Sequence, residues 1–212
     1  RQFPLSASHC GALQAPLRIR THRAVIEATG AATMAKVASA VQHAQVTAIG
    51  HRIVHGGQNF SSPAIITPQV RHAIEDLVSL APEHQPHHVA GIDAMAALFP
   101  GCPQIACFDT AFHRSIPAVR QEMALPRHFA AQGMLRYGFH GLSCQFVSEQ
   151  FPQTRLIICH LGNGCSVTAV NNGRSQYTSM GFTPNDGLVM GTRSGAMDPG
   201  AVLWLVDELG SA

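Results

Sequence analysis

Four apolar residues, Val70, Ile74, Leu77 and Val78, recur at i, i+4, i+7 and i+8 after the pair Thr67-Pro68, which predicts an amphipathic helix with threonine at its cap and proline in its first turn. An earlier helix is expected over 31–41, where "AATMAKVASAV" sets Met34, Val37 and Val41 at helical spacing in an alanine-rich run. Between the two, "VTAIGHRIVHGG" reads as a strand. Pro82 and Pro86 break the Thr67 helix, another runs through "HVAGIDAMAALF", and "PQIACFDTAFH" returns as a buried strand whose polar end is Asp109. The segment "ALPRHFAAQGMLRYGFHG" is punctuated by glycine and proline and reads as a linker or surface excursion, followed by a short helix in "LSCQFVSEQF". Then "RLIICHLG", "CSVTAVNNG" and "RSQYTSMGF" read as three consecutive strands of an antiparallel meander, with Asn171-Asn172-Gly173 supplying the first hairpin's positive backbone angles. A last helix starts at Asp198-Pro199 and aligns Val202, Leu205, Val206 and Leu209 on one face. The change of texture after Gln121 puts a domain boundary near Arg114 to Arg120, giving domains 1–115 and 116–212.

Composition narrows the classes. At 212 residues and 46% hydrophobic content the chain can bury one large or two small cores. Charged residues make up 12%, and 14 Lys+Arg against 12 Asp+Glu leave no basic footprint for nucleic acid. The longest apolar runs, such as Ala94 to Phe99, are far short of the roughly 20 residues a bilayer crossing needs, so no membrane partner is expected. Cys10, Cys102, Cys107, Cys144, Cys159 and Cys165 are irregularly spaced and form no CxxC pair, which fits free thiols in a reducing cytoplasm. "EHQPHH", from Glu83 to His88, gathers imidazoles but lacks the distant second half of a zinc ligand set, so no metal ligand is assigned. A histidine-rich metal-binding module stays open as an alternative, decided by whether the purified protein contains stoichiometric zinc.

The candidate chemistry begins with glycine. In "HLGNG", Gly162 and Gly164 let the backbone turn sharply and bring peptide N–H groups close to a ligand such as a phosphate; an ordinary hairpin explains those five residues equally well. "GTRSG" then sets Arg193, a planar and permanently charged donor, among glycines. "HRIVHGG" puts Arg52 near a strand end, "FDTAFH" puts Asp109 at another, and "YGFHG" puts His140 between glycines. Taken singly these read as a surface ion pair, a helix cap and a turn residue. Together, a carboxylate, two arginines and a histidine at strand ends suit phosphoryl transfer to an anionic acceptor.

In order along the chain, "GHRIVHGG", "FDTAFH", "YGFHGLS", "HLGNGCSV", "TSMGFTP" and "GLVMGTRSG" resemble the acetate kinase family, carboxylate kinases of the acetate and sugar kinase, Hsp70 and actin superfamily, from about Gly50 to Pro199. The resemblance implies an α/β chain of two ribonuclease-H-like domains, the actin-like ATPase fold, with the active site in the cleft between them. It implies conversion of ATP and acetate to ADP and acetyl phosphate with Mg2+, and a homodimer. Asp109, His140 and Arg193 would be catalytic. Arg52 would bind the acceptor carboxylate or the moving phosphoryl, with Val54, Phe139 and Pro184 around the acyl methyl. His160, Leu161, Gly162, Asn163 and Gly164 would contact the nucleotide phosphates.

Departures from the pattern shape the remaining expectations. Nothing like the family's Gly/Ser-rich phosphate loop precedes Arg1, which is not a methionine, and the adenosine pocket and a metal-binding glutamate would lie beyond Ala212. The fold is therefore expected to be incomplete at both ends, and the isolated chain to have little or no kinase activity. Glu83 stands where the family usually has leucine near the acyl pocket; a buried carboxylate there would be costly beside an anionic substrate and leaves propionate or another short-chain acid as an alternative acceptor. Ala196 replaces an acid often found after the arginine motif, and Cys144 replaces a histidine as a packed thiol. An inactive homologue that folds without turning over substrate is the competing reading.

Overall fold

The computed structural model describes residues 46–210 in full and, for 17–20 and 25–28, the backbone of two strands. These, β1 (Leu17–Arg20) and β2 (Val25–Ala28), pair antiparallel with Leu17 opposite Ala28. The helix expected over 31–41 lies outside the described residues. The chain divides into two compact units, one formed by 1–53 and 63–107, the other by 54–62 and 108–212.

In the first unit, β3 (Ile49–Ile53), β4 (Ala64–Ile65) and β5 (Gln104–Phe108) form a sheet with β5 in the centre, antiparallel to β4. The Thr67-Pro68 signal is used as read. Helix α1 (Pro68–Glu75) has Thr67 as its cap, with Oγ1 accepting from the Val70 amide at 3.3 Å. The apolar pattern runs on through Leu77 and Val78, but the backbone tightens there into a 3-10 turn, Asp76–Leu80. Helix α2 (Gln85–Leu98) starts at Pro86 in its first turn and packs on α1 and β3, burying Val89 and Ile92. Arg71 ties the two helices through Asp93, at 2.6 and 2.7 Å.

In the second unit, the residues after β5 turn into a 3-10 turn, Ala111–Ser115. Two short helices follow, α3 (Ala118–Gln121) and α4 (Arg127–Ala131), within and beside the segment read as a linker. Each begins directly after a proline, Pro117 and Pro126, and spans about one turn, too short to display an apolar period. Helix α5 (Gly141–Gln150) precedes the meander of β6 (Arg155–Leu161), β7 (Cys165–Asn171) and β8 (Arg174–Thr178). Asn172 and Gly173 have φ of 49° and 74°, the left-handed pair that closes a two-residue hairpin. Register in the first hairpin runs from Arg155 opposite Asn171 to Leu161 opposite Cys165.

That register sets which side chains share a face. Leu156, Ile158 and His160 stand opposite Val170, Thr168 and Ser166, and this face is the buried one on β7. Helix α5 covers it: Cys144 packs with Ile158 and Val170. The Cys144 thiol donates to Thr168 Oγ1 at 3.5 Å, and burial pushes its pKa up, so it is an inert packing group, as its place in the sequence suggested. Helix α6 (Pro199–Leu209) closes the described chain, with the Asp198 carboxylate accepting from the Gly200 amide at 2.8 Å.

Candidate active site

The first unit contributes one of the expected site residues, Arg52, an exposed side chain next to the end of β3. All the others lie in the second unit, and most of them converge. The residues after β3, Val54 to Gly57, and those at and after the end of β5, Phe108 to Thr110, are buried there, and the Gly56 amide donates to Thr110 Oγ1 at 3.0 Å. Asp109 is 2% exposed, and its carbonyl accepts from the Gly141 amide at 2.8 Å. This bond joins the acidic residue to the start of α5, one residue from His140.

His140 caps α5 in the left-handed conformation, φ 60° and ψ 21°. Its imidazole lies flat against that of His160, with ring centroids 3.9 Å apart and planes 17° from parallel. Each ring is held at Nδ1 by a serine: Ser166 Oγ at 3.0 Å for His140, and Ser143 Oγ at 3.1 Å for His160. The serines come from β7 and α5, so the register of the first hairpin and the start of the helix jointly set the stack.

Gly164 explains the crowding of glycines in "HLGNG". A Cβ there would lie 3.0 Å from His140 Nε2, 3.1 Å from His140 Cε1 and 3.2 Å from Arg193 Nη1. The bare Cα is thus the point where the β6–β7 turn, the imidazole and the guanidinium meet. Gly164→Ala is expected to push both side chains by a few tenths of an ångström and to lower turnover about tenfold or more, with the melting temperature nearly unchanged. Steady-state kinetics and a thermal melt on the same preparation check this. Gly162 lies in the same turn and donates to the Gly164 carbonyl at 3.0 Å, while Leu161 and Asn163 are exposed.

Arg193 donates from Nη1 to the Pro184 carbonyl at 3.1 Å and to Met190 Sδ at 3.8 Å. Pro184 therefore helps to aim the guanidinium. Val54 and Phe139 pack with Met180, and Met190 lies against them, forming an apolar cluster within the same unit. The loop that bears Pro184 is pinned by Arg136. Its Nη1 donates to the carbonyls of Thr178, Ser179 and Met180 at 3.1 to 3.3 Å, faces Asp186 Oδ2 at 3.7 Å, and its guanidinium carbon lies 4.9 Å from the centre of the Tyr177 ring.

Sequence reading missed Ser143, Ser166, Met180, Arg136 and His113, which touch or brace this cluster. Four of them lie inside quoted motifs, His113 in "FDTAFH", Ser143 in "YGFHGLS", Ser166 in "HLGNGCSV" and Met180 in "TSMGFTP", whereas Arg136 lies just outside them. Glu83 is exposed, so the desolvation cost expected of a buried carboxylate there does not arise. Among the described residues no group of three or more His, Cys, Asp or Glu is placed to hold a metal ion, and the histidines of "EHQPHH" make no such set.

A donor-rich corner of two imidazoles, a guanidinium and side-chain-free backbone suits a phosphoryl group whose charge spreads over three oxygens. Comparisons with known proteins give the relatives of the chain as a whole. The model of the acetokinase family matches residues 10–212. An acetate kinase of Synechococcus sp. (strain JA-2-3B'a(2-13)) is 47% identical over 170 residues, 76% of this chain and 42% of that protein. One from Rhodopseudomonas palustris (strain ATCC BAA-98 / CGA009) is 48% identical over 172 residues, 77% of this chain and 43% of that protein. Among solved structures, a propionate kinase from Francisella tularensis subsp. tularensis SCHU S4 superimposes with a TM-score of 0.80 at 41% identity, over 89% of this chain and 52% of that one. Porphyromonas gingivalis acetate kinase does so with a TM-score of 0.78 at 36% identity, over 89% and 53%. The chain spans less than half the length of these curated relatives, and its fold is the α/β, actin-like ATPase type of its structural neighbours.

Proposed function

Because the chain belongs to the acetokinase family, we propose that its protein is a carboxylate kinase that moves the γ-phosphoryl group of ATP to acetate, giving acetyl phosphate and ADP, and runs in both directions. A carboxylate oxygen forms the new bond to phosphorus, the bond to the β–γ bridging oxygen breaks, and its electron pair leaves with ADP. Acetate is ionised at neutral pH and needs no base to become a nucleophile. The work left to the protein is to position the reactants and to stabilise charge.

The observation that supports this reading is the meeting of His140 and Arg193 at Gly164, with the His160 ring stacked on that of His140. In it, Arg193 and His140 donate to the equatorial oxygens of the moving phosphoryl, and the backbone from His160 to Gly164 contacts the nucleotide phosphates. Arg52 is assigned to the acceptor carboxylate by family likeness. Val54, Phe139 and Pro184 are assigned to the acceptor's methyl, for which the cluster with Met180 supplies the apolar surface. Asp109, buried and bonded through its carbonyl to the residue after His140, positions the reacting groups. The divalent metal that the family implies, proposed as Mg2+, finds no ligand set among the described residues, and no step is assigned to it.

The propionate kinase among the structural neighbours supports a second acceptor, propionate, at the same site. One methylene in an apolar pocket changes kcat/KM by about 1–3 kcal/mol, so the ratio for the two acids identifies the preferred one. By family likeness the protein is also proposed to be a cytoplasmic homodimer; five free thiols among the described residues fit a reducing compartment. No helix among the described residues is long and apolar enough to cross a membrane.

Asp109→Asn in the intact protein tests the assignment. Acyl phosphate, trapped with hydroxylamine, is expected to fall about a hundredfold or more while the circular dichroism spectrum stays unchanged. Near-normal turnover in a folded variant would remove Asp109 from the reaction.

A further inference from the structure

His113 is a buried imidazole to which the phosphoryl-transfer reading gives no role. It sits in the 3-10 turn Ala111–Ser115 and is 1% exposed. Both ring nitrogens are engaged, Nε2 at 2.9 Å from the Phe139 carbonyl oxygen and Nδ1 at 3.0 Å from Ser175 Oγ. A carbonyl only accepts, so Nε2 bears the proton and Nδ1 receives the Ser175 hydroxyl in the neutral ring. Burial keeps the ring neutral, pulling its pKa down to about 4.

What the ring holds is a short segment of unfavourable backbone. Phe139 lies between Gly138, with φ 68°, and His140, with φ 60°. Glycine adopts this conformation freely, whereas a residue with a Cβ does so at a cost of about 1–2 kcal/mol and persists there only when its surroundings hold it. Three tethers from outside helix α5 act on the backbone of the four residues from Gly138 to Gly141. The Gly138 amide donates to the Gly181 carbonyl at 3.2 Å, the Gly141 amide to the Asp109 carbonyl at 2.8 Å, and the Phe139 carbonyl receives the His113 proton. The ring also fills the place of the missing side chain of Gly138, where a Cβ would come 2.9 Å from His113 Cδ2 and collide with the Thr178 methyl. Of the three tethers, the bond from His113 alone depends on a side chain.

We propose that His113 is a positioning residue: by holding the Phe139 carbonyl it fixes the left-handed turn that lays the His140 ring against His160 and aims it at Gly164. This rests on the carboxylate kinase reading and extends it, since His113 acts on the moving phosphoryl only through His140. Loss of the donor frees the turn to relax, and the His140 ring leaves the position at which Ser166 and Gly164 receive it. The apolar cluster of Val54, Phe139 and Met180 shifts with it, because Phe139 belongs to both.

The test compares His113→Phe, which fills the site without a donor, with His113→Gln, whose amide N–H reaches toward the Nε2 position, in intact protein labelled with 15N-histidine. In H113F the His140 ring resonances are expected to move, and kcat to fall about tenfold to a hundredfold with KM for ATP changed less than about twofold. In H113Q both are expected to return most of the way to wild type. Unchanged His140 resonances in H113F, or a folded H113Q with kcat as low as that of H113F, would overturn the proposal. Should H113F not fold, H113Q decides alone: His140 resonances and kcat near wild type support the role, and displaced ones refute it. Should wild-type protein form no acyl phosphate, the kinase reading fails, and the ring resonances still decide whether His113 positions His140.

Discussion

Arg193→Ala is expected to lower kcat for acyl phosphate formation by about a hundredfold to a thousandfold, the loss typical of removing one preorganised donor from a developing anion. The structure gives this arginine a fixed aim. Nη1 is held by the Pro184 carbonyl at 3.1 Å and lies close to where a Cβ on Gly164 would be, beside the His140 ring. A guanidinium held at one nitrogen keeps further N–H groups in a rigid plane, so it can bind the protein and the phosphoryl oxygens together. Lysine has one ammonium group on a flexible stem and cannot do both. Arg193→Lys is therefore expected to recover less than a tenth of wild-type kcat, although it restores the charge. The side chain is only half-buried, so melting temperatures of both variants should stay close to wild type. A lysine variant with near-normal kcat would show that charge alone suffices and that the fork does not matter.

The second large effect is a loss of stability in mild acid. His113, His55 and His88 have pKa values lowered to about 4, in each case chiefly by burial; at His88 the nearby His84, Arg52, His87 and His51 add to the effect. In the unfolded chain each would titrate near 6.5. Between these values the unfolded state binds more protons than the folded one, so stability rises with pH. It is fully present above about pH 6.5 and is lost as pH falls toward 4, at up to about 1.4 kcal/mol per pH unit for each histidine. Three such groups draw on a total that is commonly about 5–15 kcal/mol. The urea midpoint should thus drop steadily from pH 6.5 to 4. A flat midpoint over that interval would show that the rings are solvated or already charged in the native state.

The parts of the fold that were legible in the sequence share one property: their signal is local. Alternation along β6, β7 and β8 and the Asn172-Gly173 turn specify a meander without reference to anything distant, and Thr67-Pro68 and Asp198-Pro199 mark helix starts by capping chemistry. Strand β4, two residues long, and helices α3 and α4, about one turn each, have no room for a period, and pairing with β5 or a preceding proline defines them instead. The same division holds at the site. His140, Gly164 and Arg193 stand out because glycines flank or replace side chains there. Ser166 and His113 become partners of the site only through register and long-range folding, Ser166 across 26 residues to His140 and His113 across 26 to Phe139. Ser143, the partner of His160, hides in an ordinary helix start for the same reason.

The 31P spectrum of intact protein incubated with ATP, a divalent metal salt and acetate tests the central claim most directly. An acyl phosphate resonance should grow in step with ADP, and should be missing when His140 is replaced by alanine or acetate is omitted. If ATP is instead converted to ADP and inorganic phosphate at the same rate with and without the carboxylate, or is not consumed at all, the assignment of this corner to carboxylate phosphorylation is wrong.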